Sequence, residues 1–261
     1  MYFLRNFGVL PQENSDLISR QSNIHCILQN RLYFAPKRTE ICDDFTILNV
    51  SHSGGGCLEI DDVSCFAPEN LSTVCHFIDT LKNLYRASKS ERILCISGPN
   101  VLQVTNAVFL IGTFMNVELR IPQNEIRGIF KQFNLELFRI SSPSFPDNPE
   151  IEYSVYDCLQ AIEKAFEFGW IHQPSMPGIW GKVDIDEYEH YRSPFNGDLV
   201  QVVPGKLILF PSPTEIKGGF HFSDSSGVRH FSVEYFTEIL DALNVSTCSK
   251  KTQYNAQQKN K

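Results

Sequence analysis

The sequence predicts an α/β fold, because short apolar runs rich in β-forming residues alternate with helical patterns. The run RILCI (92–96) has the length and composition of a buried central strand. A helix is predicted from Pro68 to about Arg86, since apolar side chains recur on one face after a proline suited to the first helical position. Two strand-like runs, 24–34 and 45–50, precede that helix.

Three more segments after the central strand favour helix. The apolar stretch 106–115 could be a strand by composition alone, but its length and position favour a buried helix. A smaller helix over 122–133 has proline first. A long amphipathic helix follows, in which Ser154 and Asp157 form a capping pair and Gly169 ends the pattern.

The C-terminal part of the chain predicts a hairpin and one helix. Apolar strands over 199–203 and 206–210 flank Pro204-Gly205, a pair suited to the central positions of a type II turn. A polar loop leads to a helix over 231–243, and NVST after it is predicted to start a new strand. Because both hairpin strands are apolar on both faces, we expect them to need a covering layer or to leave an exposed edge.

Composition and charge indicate a folded, acidic protein. Of the 261 residues, 42% are hydrophobic, and the formal net charge is −7. The tail 248–261 holds four lysines and no acid, so it is expected to be disordered, and the body without it carries −11. A body of that charge repels nucleic-acid backbones and favours basic partners, which argues against DNA or RNA binding.

Cysteine and histidine spacing predicts neither a metal site nor a cofactor. The eight cysteines include no CxxC pair, and the seven histidines form no pair with ligand spacing. The first residues lack a long apolar core and a cleavage site, so we expect no signal peptide and no membrane span. An intracellular protein of the cytoplasm or nucleus is therefore predicted.

Six segments, in a fixed order and spacing, carry a family resemblance. The most specific feature is the combination of DEYEHY with the pattern GDxxxxVPGKxxxF. The segments are NRLYF (30–34), NAVFLIGTF (106–114), YDCLQAIEKAFEFGW (156–170), DIDEYEHY (184–191), NGDLVQVVPGKLILFPSP (196–213) and NVST (244–247). Together they resemble the cell-division-cycle-fourteen type of dual-specificity protein phosphatase.

The resemblance implies two phosphatase-like α/β domains in tandem, each a sheet flanked by helices. The expected N-terminal domain, 20–172, is non-catalytic and helps to choose substrates. An acidic linker, 173–197, would connect it to an incomplete second phosphatase domain, 198–247. By resemblance the family acts in cell-cycle control and mitosis, at the nucleus, spindle or centrosome.

Phosphatases of this class attack phosphorus with a cysteine thiolate, and an arginine six positions later binds the phosphoryl oxygens. None of the eight cysteines has an arginine six residues on. No catalytic residue is therefore assigned, and the chain is expected to be inactive alone. The loop 97–103 after the central strand occupies the place of a phosphate loop but contains no Arg or Lys. A weak anion site there is possible through the helix dipole, and we favour a degenerate loop kept for packing.

The acidic linker is the candidate substrate-binding site. If the segment is helical, Asp186 and Glu189 share one face, and so do Asp184 and Glu187. By resemblance, these residues help to form a groove for the basic residue that follows a phosphoserine-proline site in phosphoprotein substrates. Relatives are expected to carry a further acid near Arg192, so the groove would be weaker here. The alternative is a solvated, charged linker.

Three functions compete at this stage. The first is a dual-specificity phosphatase of which this chain carries the substrate-selecting half. The second is a non-catalytic binding or regulatory module that uses the acidic linker without turnover. The third, an unrelated enzyme with histidine or cysteine chemistry, is disfavoured by the residue spacing.

Overall fold

A computed structural model describes residues 23–37, 45–50, 70–87, 92–135, 138–140, 151–172, 178–218, 220–225 and 227–249. The strands are β1 (His25–Leu28), β2 (Leu32–Ala35), β3 (Phe45–Asn49), β4 (Arg92–Ile96), β5 (Phe138–Ile140), β6 (Ile151–Tyr153), β7 (Ile179–Trp180), β8 (Val183–Asp184), β9 (Val200–Val203), β10 (Leu207–Leu209), β11 (Phe222–Ser225) and β12 (Val228–Phe231). The helices are α1 (Leu71–Ala87), α2 (Val101–Val117), α3 (Gln123–Phe130), α4 (Val155–Glu167), α5 (Ile185–Arg192) and α6 (Val233–Ala242). The mixed α/β class is confirmed. None of the helices among these residues is long and apolar enough to cross a bilayer.

The central sheet has four strands in the order β1-β2-β4-β3. Strand β4 lies between β2 and β3 and runs parallel to both, which confirms the predicted buried central strand. The run 24–34 was predicted as one strand, and this was wrong. It forms an antiparallel hairpin of β1 and β2, because Asn30 adopts a left-handed conformation with φ of 59° and reverses the chain.

Helix α2 is buried on nearly all sides, as predicted for its apolar sequence. It begins at Val101, five residues before the predicted start, because Asn100 caps it. It packs against α1, α3 and α4. The approach to α4 is close: a Cβ atom on Gly112 would lie 3.0 Å from Cδ1 of Leu159. Glycine at this position lets the side chain of Leu159 rest on the α2 backbone.

The neighbouring helices follow the predicted faces with small corrections. In α4, Ser154 and Asp157 form the predicted capping box, and the helix ends before Gly169, which has φ of +66°. In α3, proline was expected at the first helical position, but Pro122 is the N-cap and the helix starts at the next residue. Helix α1 starts at Leu71, and the predicted start at Pro68 lies outside the described residues.

The segment predicted as a linker packs on the N-terminal core. Strands β7 and β8 form a small hairpin around Gly181, and the Trp180 side chain is only 1% exposed. It belongs to one cluster of buried side chains with Phe77 of α1 and Tyr188 of α5. The buried residues Trp180, Val183, Ile185 and Tyr188 of the predicted linker are therefore part of the core, while the limits of the domains stay a prediction.

The C-terminal hairpin exposes much of its apolar surface. Gly205 has φ of +68° and the Lys206 N–H donates to the Val203 carbonyl (2.9 Å), as a type II turn requires. Among the described residues, eight of the ten exposed large hydrophobic side chains lie between residues 195 and 233, among them Leu207 and Leu209 of β10. The prediction that these strands lack a full covering layer is confirmed for the described residues.

Two other expectations for this part of the chain were wrong. The polar loop after β10 contains a second hairpin, β11–β12, in which Arg229 and Asp224 face each other as a cross-strand ion pair with a nitrogen–oxygen distance of 2.9 Å. The segment NVST (244–247) does not form a strand. Of the tail predicted to be disordered, residues 250–261 lie outside the described residues.

Two helical glycines allow a matched test of this packing. Gly112→Val should lower the free energy of unfolding by about 1–3 kcal/mol, because the new side chain collides with Leu159. Gly128→Ala should raise it by about 0.5–1 kcal/mol, because a Cβ there meets no atom within 4 Å and alanine favours the helix. Urea unfolding of both variants measures the two values. Equal effects of the same sign would contradict the α2–α4 contact.

Candidate functional site

Helix α5 carries the acidic residues that the sequence identified, and the first of them begins the helix. The Asp184 side chain accepts hydrogen bonds from the backbone N–H groups of Asp186 (3.0 Å) and Glu187 (3.1 Å). Acids in this first turn meet the positive end of the helix dipole, and His190 and Arg192 meet the negative end in the last turn. Some of the acidic residues of this segment therefore stabilise the helix itself.

Two large side chains fix one face of α5 on the core. Ile185 and Tyr188 are buried, and burial raises the pKa of the Tyr188 phenol. The helix packs against α1, and the Tyr188 side chain lies near the backbone of Leu71. The Ile185 N–H also donates to the Gly178 carbonyl (2.9 Å). These contacts determine which positions of α5 are left to face solvent.

Glu189 is turned toward α1, where two side chains share one of its oxygens. The Ser72 hydroxyl donates to Oε1 of Glu189, and Nε2 of His76 lies 3.0 Å from the same atom. The Ser72 hydrogen bond lowers the pKa of the Glu189 carboxyl, and the neighbouring His76 adds to the shift. Sequence reasoning missed both partners. Their i,i+4 spacing on the otherwise apolar α1 pattern was the available signal.

The structure thus separates the predicted residues by role. Asp184 is the N-cap, Glu189 is held by α1, and the side chains of Asp186 and Glu187 are exposed. The predicted helical pairing of Asp184 with Glu187 is replaced by capping, because Asp184 precedes the first turn. That the four acids line a substrate groove stays a prediction.

The loop between β4 and α2 is closed by its own side chains. Oδ1 of Asn100 accepts from the Leu102 N–H (2.8 Å), and Oε1 of Gln103 lies 3.4 Å from the Asn100 N–H. The Gln103 side chain rests on Gly98, where a Cβ would lie 1.9 Å from Oε1. Several of the N–H groups at this helix start are therefore bonded from within the chain, in keeping with the interpretation of a degenerate loop.

Three of the described cysteines, Cys75, Cys95 and Cys158, have the opposite character to a catalytic thiolate. Burial raises the pKa of Cys95, at the end of the central strand, to about 12, and that of Cys158 to about 11. Burial also raises the pKa of Cys75. A nucleophilic cysteine requires a lowered pKa, so these three thiols are protonated and unreactive at neutral pH.

The rest of the described structure has a cleft in its C-terminal part but no cluster of metal-ligating side chains. Among the described residues, no group of three or more His, Cys, Asp or Glu side chains is arranged to hold a metal ion. A cleft of about 350 Å³ lies between the turn at 194–198, strand β12 and α6. Its Arg229 guanidinium is already held by both Asp224 oxygens (2.9 and 3.0 Å) and stacks on Phe222, 3.9 Å from the ring centre. Sequence reasoning did not anticipate this cleft.

Comparison with known proteins decides the family. A family model described as the N-terminal half of dual specificity protein phosphatases matches residues 26–165, more than half of the chain. The chain belongs to the CDC14-type dual specificity phosphatase family. The match covers the central sheet and helices α1–α4, so the predicted resemblance is confirmed and these elements form the family's N-terminal half.

Three relatives of the CDC14 family illustrate the similarity. Dual specificity protein phosphatase CDC14C of Homo sapiens is 26% identical over 247 residues, which is 84% of this chain and 48% of the relative. CDC14C of Symphalangus syndactylus is 28% identical over 220 residues, 80% of this chain and 42% of the relative. CDC14A of Homo sapiens is 30% identical over 161 residues, 59% and 26% respectively. The chain spans about half the length, or less, of these curated relatives.

The thiol assignment can be tested by alkylation of the folded chain. Iodoacetamide at neutral pH should modify the exposed Cys248 readily and Cys95 at least about a hundredfold more slowly, because Cys95 is buried and protonated. Mass spectrometry of tryptic peptides reads each site. In denaturing urea the two rates should become similar. Fast labelling of Cys95 in the folded chain would contradict its assignment as an inert thiol.

Proposed function

We propose that this chain selects substrates for CDC14-type dephosphorylation and has no phosphatase activity of its own. The observation that carries the proposal is α5, whose exposed carboxylates are held on the core of the family's N-terminal half. In this proposal the substrates are phosphoproteins with a basic residue after a Ser-Pro site, in cell-cycle control. The acidic groove is made of Asp184, Asp186, Glu187 and Glu189.

Electrostatics supports a basic ligand for this surface. The chain has a net charge of −7, and Asp186 and Glu187 stand next to each other on an exposed turn. Each exposed carboxylate attracts a lysine or arginine side chain, and an exposed ion pair of this kind contributes about 0.2–1 kcal/mol. Binding through them alone is therefore weak and sensitive to salt. Such contacts contribute more to specificity among substrates than to binding affinity.

The absence of turnover is supported by three observations on this chain. No cysteine in the 261 residues is followed six positions later by arginine. Among the described residues, the thiols of Cys75, Cys95 and Cys158 have raised pKa values. In the loop before α2, which lies where a phosphate loop would be expected, the side chains of Asn100 and Gln103 cap some of the backbone N–H groups.

A second candidate function is a regulatory binding module that holds basic partners without any coupling to dephosphorylation. The capped loop and the protonated thiols favour it as much as they favour the first proposal. The two candidates differ in the sequence feature of the ligand that α5 recognises. Substrate selection requires a basic residue at a fixed distance after Ser-Pro, whereas a general module accepts basic residues at any spacing.

The first expected result is inactivity. Purified chain should not hydrolyse p-nitrophenyl phosphate or phosphopeptides above the blank, because it lacks a thiolate followed by arginine. Release of p-nitrophenolate and of inorganic phosphate measures this. Clear turnover that disappears when any single cysteine is replaced would overturn the proposal, since it would reveal a nucleophile.

The second expected result concerns the exposed carboxylates. The double variant Asp186→Asn with Glu187→Gln should bind a phosphoserine-proline peptide followed by lysine roughly three- to tenfold more weakly than the unchanged chain. The cause is loss of the attraction to lysine, so raising the salt concentration should produce a similar loss in the unchanged chain. Fluorescence anisotropy of a labelled peptide measures both effects.

The matched control is Glu238→Gln with Asp241→Asn on α6, which removes the same charge from another exposed helix. It should leave the affinity nearly unchanged. Equal losses in the two double variants would reduce the effect to net charge and contradict the groove. A peptide of the same composition with its lysine moved away from Ser-Pro should bind more weakly, and equal binding would favour the general module.

A further inference from the structure

One side of α1 carries titratable residues that face other elements of the fold. They recur every three or four residues and therefore share that side: His76, Asp79, Lys82 and Arg86. Nε2 of His76 lies 3.0 Å from Glu189. Glu118, directly after α2, lies 3.0 Å from Nζ of Lys82 and 2.6 Å from Arg86. Among the described residues, Asp79 is the member of this row without an ion pair at bonding distance.

The group that meets Asp79 from the β7–β8 hairpin is the indole of Trp180. Its Nε1 is buried and has no hydrogen-bond partner within bonding geometry among the described residues. The Asp79 carboxyl is near enough for the indole N–H to lower its pKa, so the two groups are neighbours without a complete hydrogen bond. The cavity beside the ring, about 10 Å³ in volume, has almost entirely apolar walls and offers a water too few polar partners to replace the missing acceptor. A buried N–H without an acceptor costs free energy, so this contact is incomplete.

Burial is the main influence on the charge of Asp79. It raises the pKa of the carboxyl, and the nearby carboxylate of Glu118 adds to the rise. The Trp180 N–H, Lys82 and His76 lower the pKa by smaller amounts. Lys82 does not offset the burial, because its ammonium group is already paired with Glu118 in a contact where the two side chains are only 12% and 7% exposed. The ionised form of Asp79 is therefore the disfavoured one in the folded chain.

We propose that Asp79 and Trp180 form a pH-sensitive switch between α1 and the β7–β8 hairpin, in which neutral Asp79 holds the hairpin more tightly than ionised Asp79 does. A neutral carboxyl needs less hydration than a carboxylate, so it can approach the indole, and its carbonyl oxygen accepts the N–H. An ionised carboxylate remains toward Lys82 and solvent, and the indole N–H then stays without an acceptor. The only chemical step is the gain or loss of one proton at Asp79, and the switch does not depend on the proposed function.

The direction of the pH dependence follows from the raised pKa of Asp79. Its contribution to stability is complete below the ordinary pKa of an aspartate and is lost as pH rises through the raised value, so the contact is in its weaker state at neutral pH. The pKa of Glu189 is lowered, so its contact with α1 changes in the opposite sense and is lost as pH falls. The groups that face Asp79 are Cys75, His76 and Lys82 of α1, Glu118 after α2 and Trp180 of β7. A local measurement at the hairpin is therefore needed rather than global stability.

The experiment is hydrogen exchange of the β7–β8 amides in the full chain at neutral pH, relative to those of β4. Asp79→Asn keeps the shape of the side chain, has no charge at any pH and retains a carbonyl acceptor for the indole. It should raise hairpin protection by about fivefold, the scale of one completed hydrogen bond. In a Trp170→Phe background, where Trp180 is the only tryptophan of the chain, the same substitution should also reduce quenching of its fluorescence by acrylamide.

Three further variants separate the switch from general effects of charge. Asp241→Asn removes the same charge from the exposed face of α6 and should leave hairpin protection unchanged. His76→Gln removes the neighbouring histidine, and the pH dependence of the hairpin should persist without it. Trp180→Phe keeps an aromatic ring but removes the N–H, so adding Asp79→Asn to it should produce little of the gain seen in the unchanged background.

Two results would overturn the switch. Lower or unchanged hairpin protection in Asp79→Asn would show that the ionised carboxylate is at least as good a partner for the indole. An equal gain in the Trp180→Phe background would show that Asp79 acts without the N–H. If Asp79→Asn also alters the protection of β4, the unchanged chain decides: its hairpin protection, relative to β4 and corrected for intrinsic exchange, should fall as pH rises from acidic to neutral. A constant or rising value there contradicts the proposal.

Discussion

Helix α2 is the element on which the rest of the described structure depends. Its apolar side chains point in every direction, and 13 of its 17 residues are buried. Such a helix is stable in water only if other elements cover it on several sides. Helices α1, α3 and α4 provide that cover. Its N-terminus follows the central strand directly, which fixes the place of α2 relative to the sheet. Gly112 then permits α4 to approach closely enough for Leu159 to fill the space.

The same constraint explains why α5 is not a free linker. With α2 and the sheet covered, α1 still has a face that carries Ser72 and His76 among buried apolar residues. Trp180 and Tyr188 from the linker cover that face and join the core. The acidic residues of α5 are consequently presented on a fixed helix, and their spacing follows from the requirements of helix capping and of the contact with α1.

Much of the sheet and of the main helices could be predicted from periodicity. The buried strand β4 and the helices α1 and α4 follow from their apolar patterns, α2 follows from its length and position, and the Ser154 capping box is a local signal. The hairpin at Asn30 was missed because a single asparagine within an apolar run is only a weak sequence signal for a left-handed turn. The β11–β12 hairpin was missed because its strands are polar and are stabilised in part by the pairing of Arg229 with Asp224.

The candidate site was predictable only in its composition. Four acids within six residues indicate a charged surface, yet the sequence cannot say which carboxylate faces solvent, because that depends on α1, more than a hundred residues earlier. Once Ser72 and His76 are known to reach Glu189, the acids are no longer equivalent. Asp184 stabilises the start of the helix, Glu189 joins it to the core, and only two carboxylates are without an assigned internal task. A count of acids therefore overstates the number of carboxylates available for direct contact with a ligand, although each ionised acid still contributes to the field.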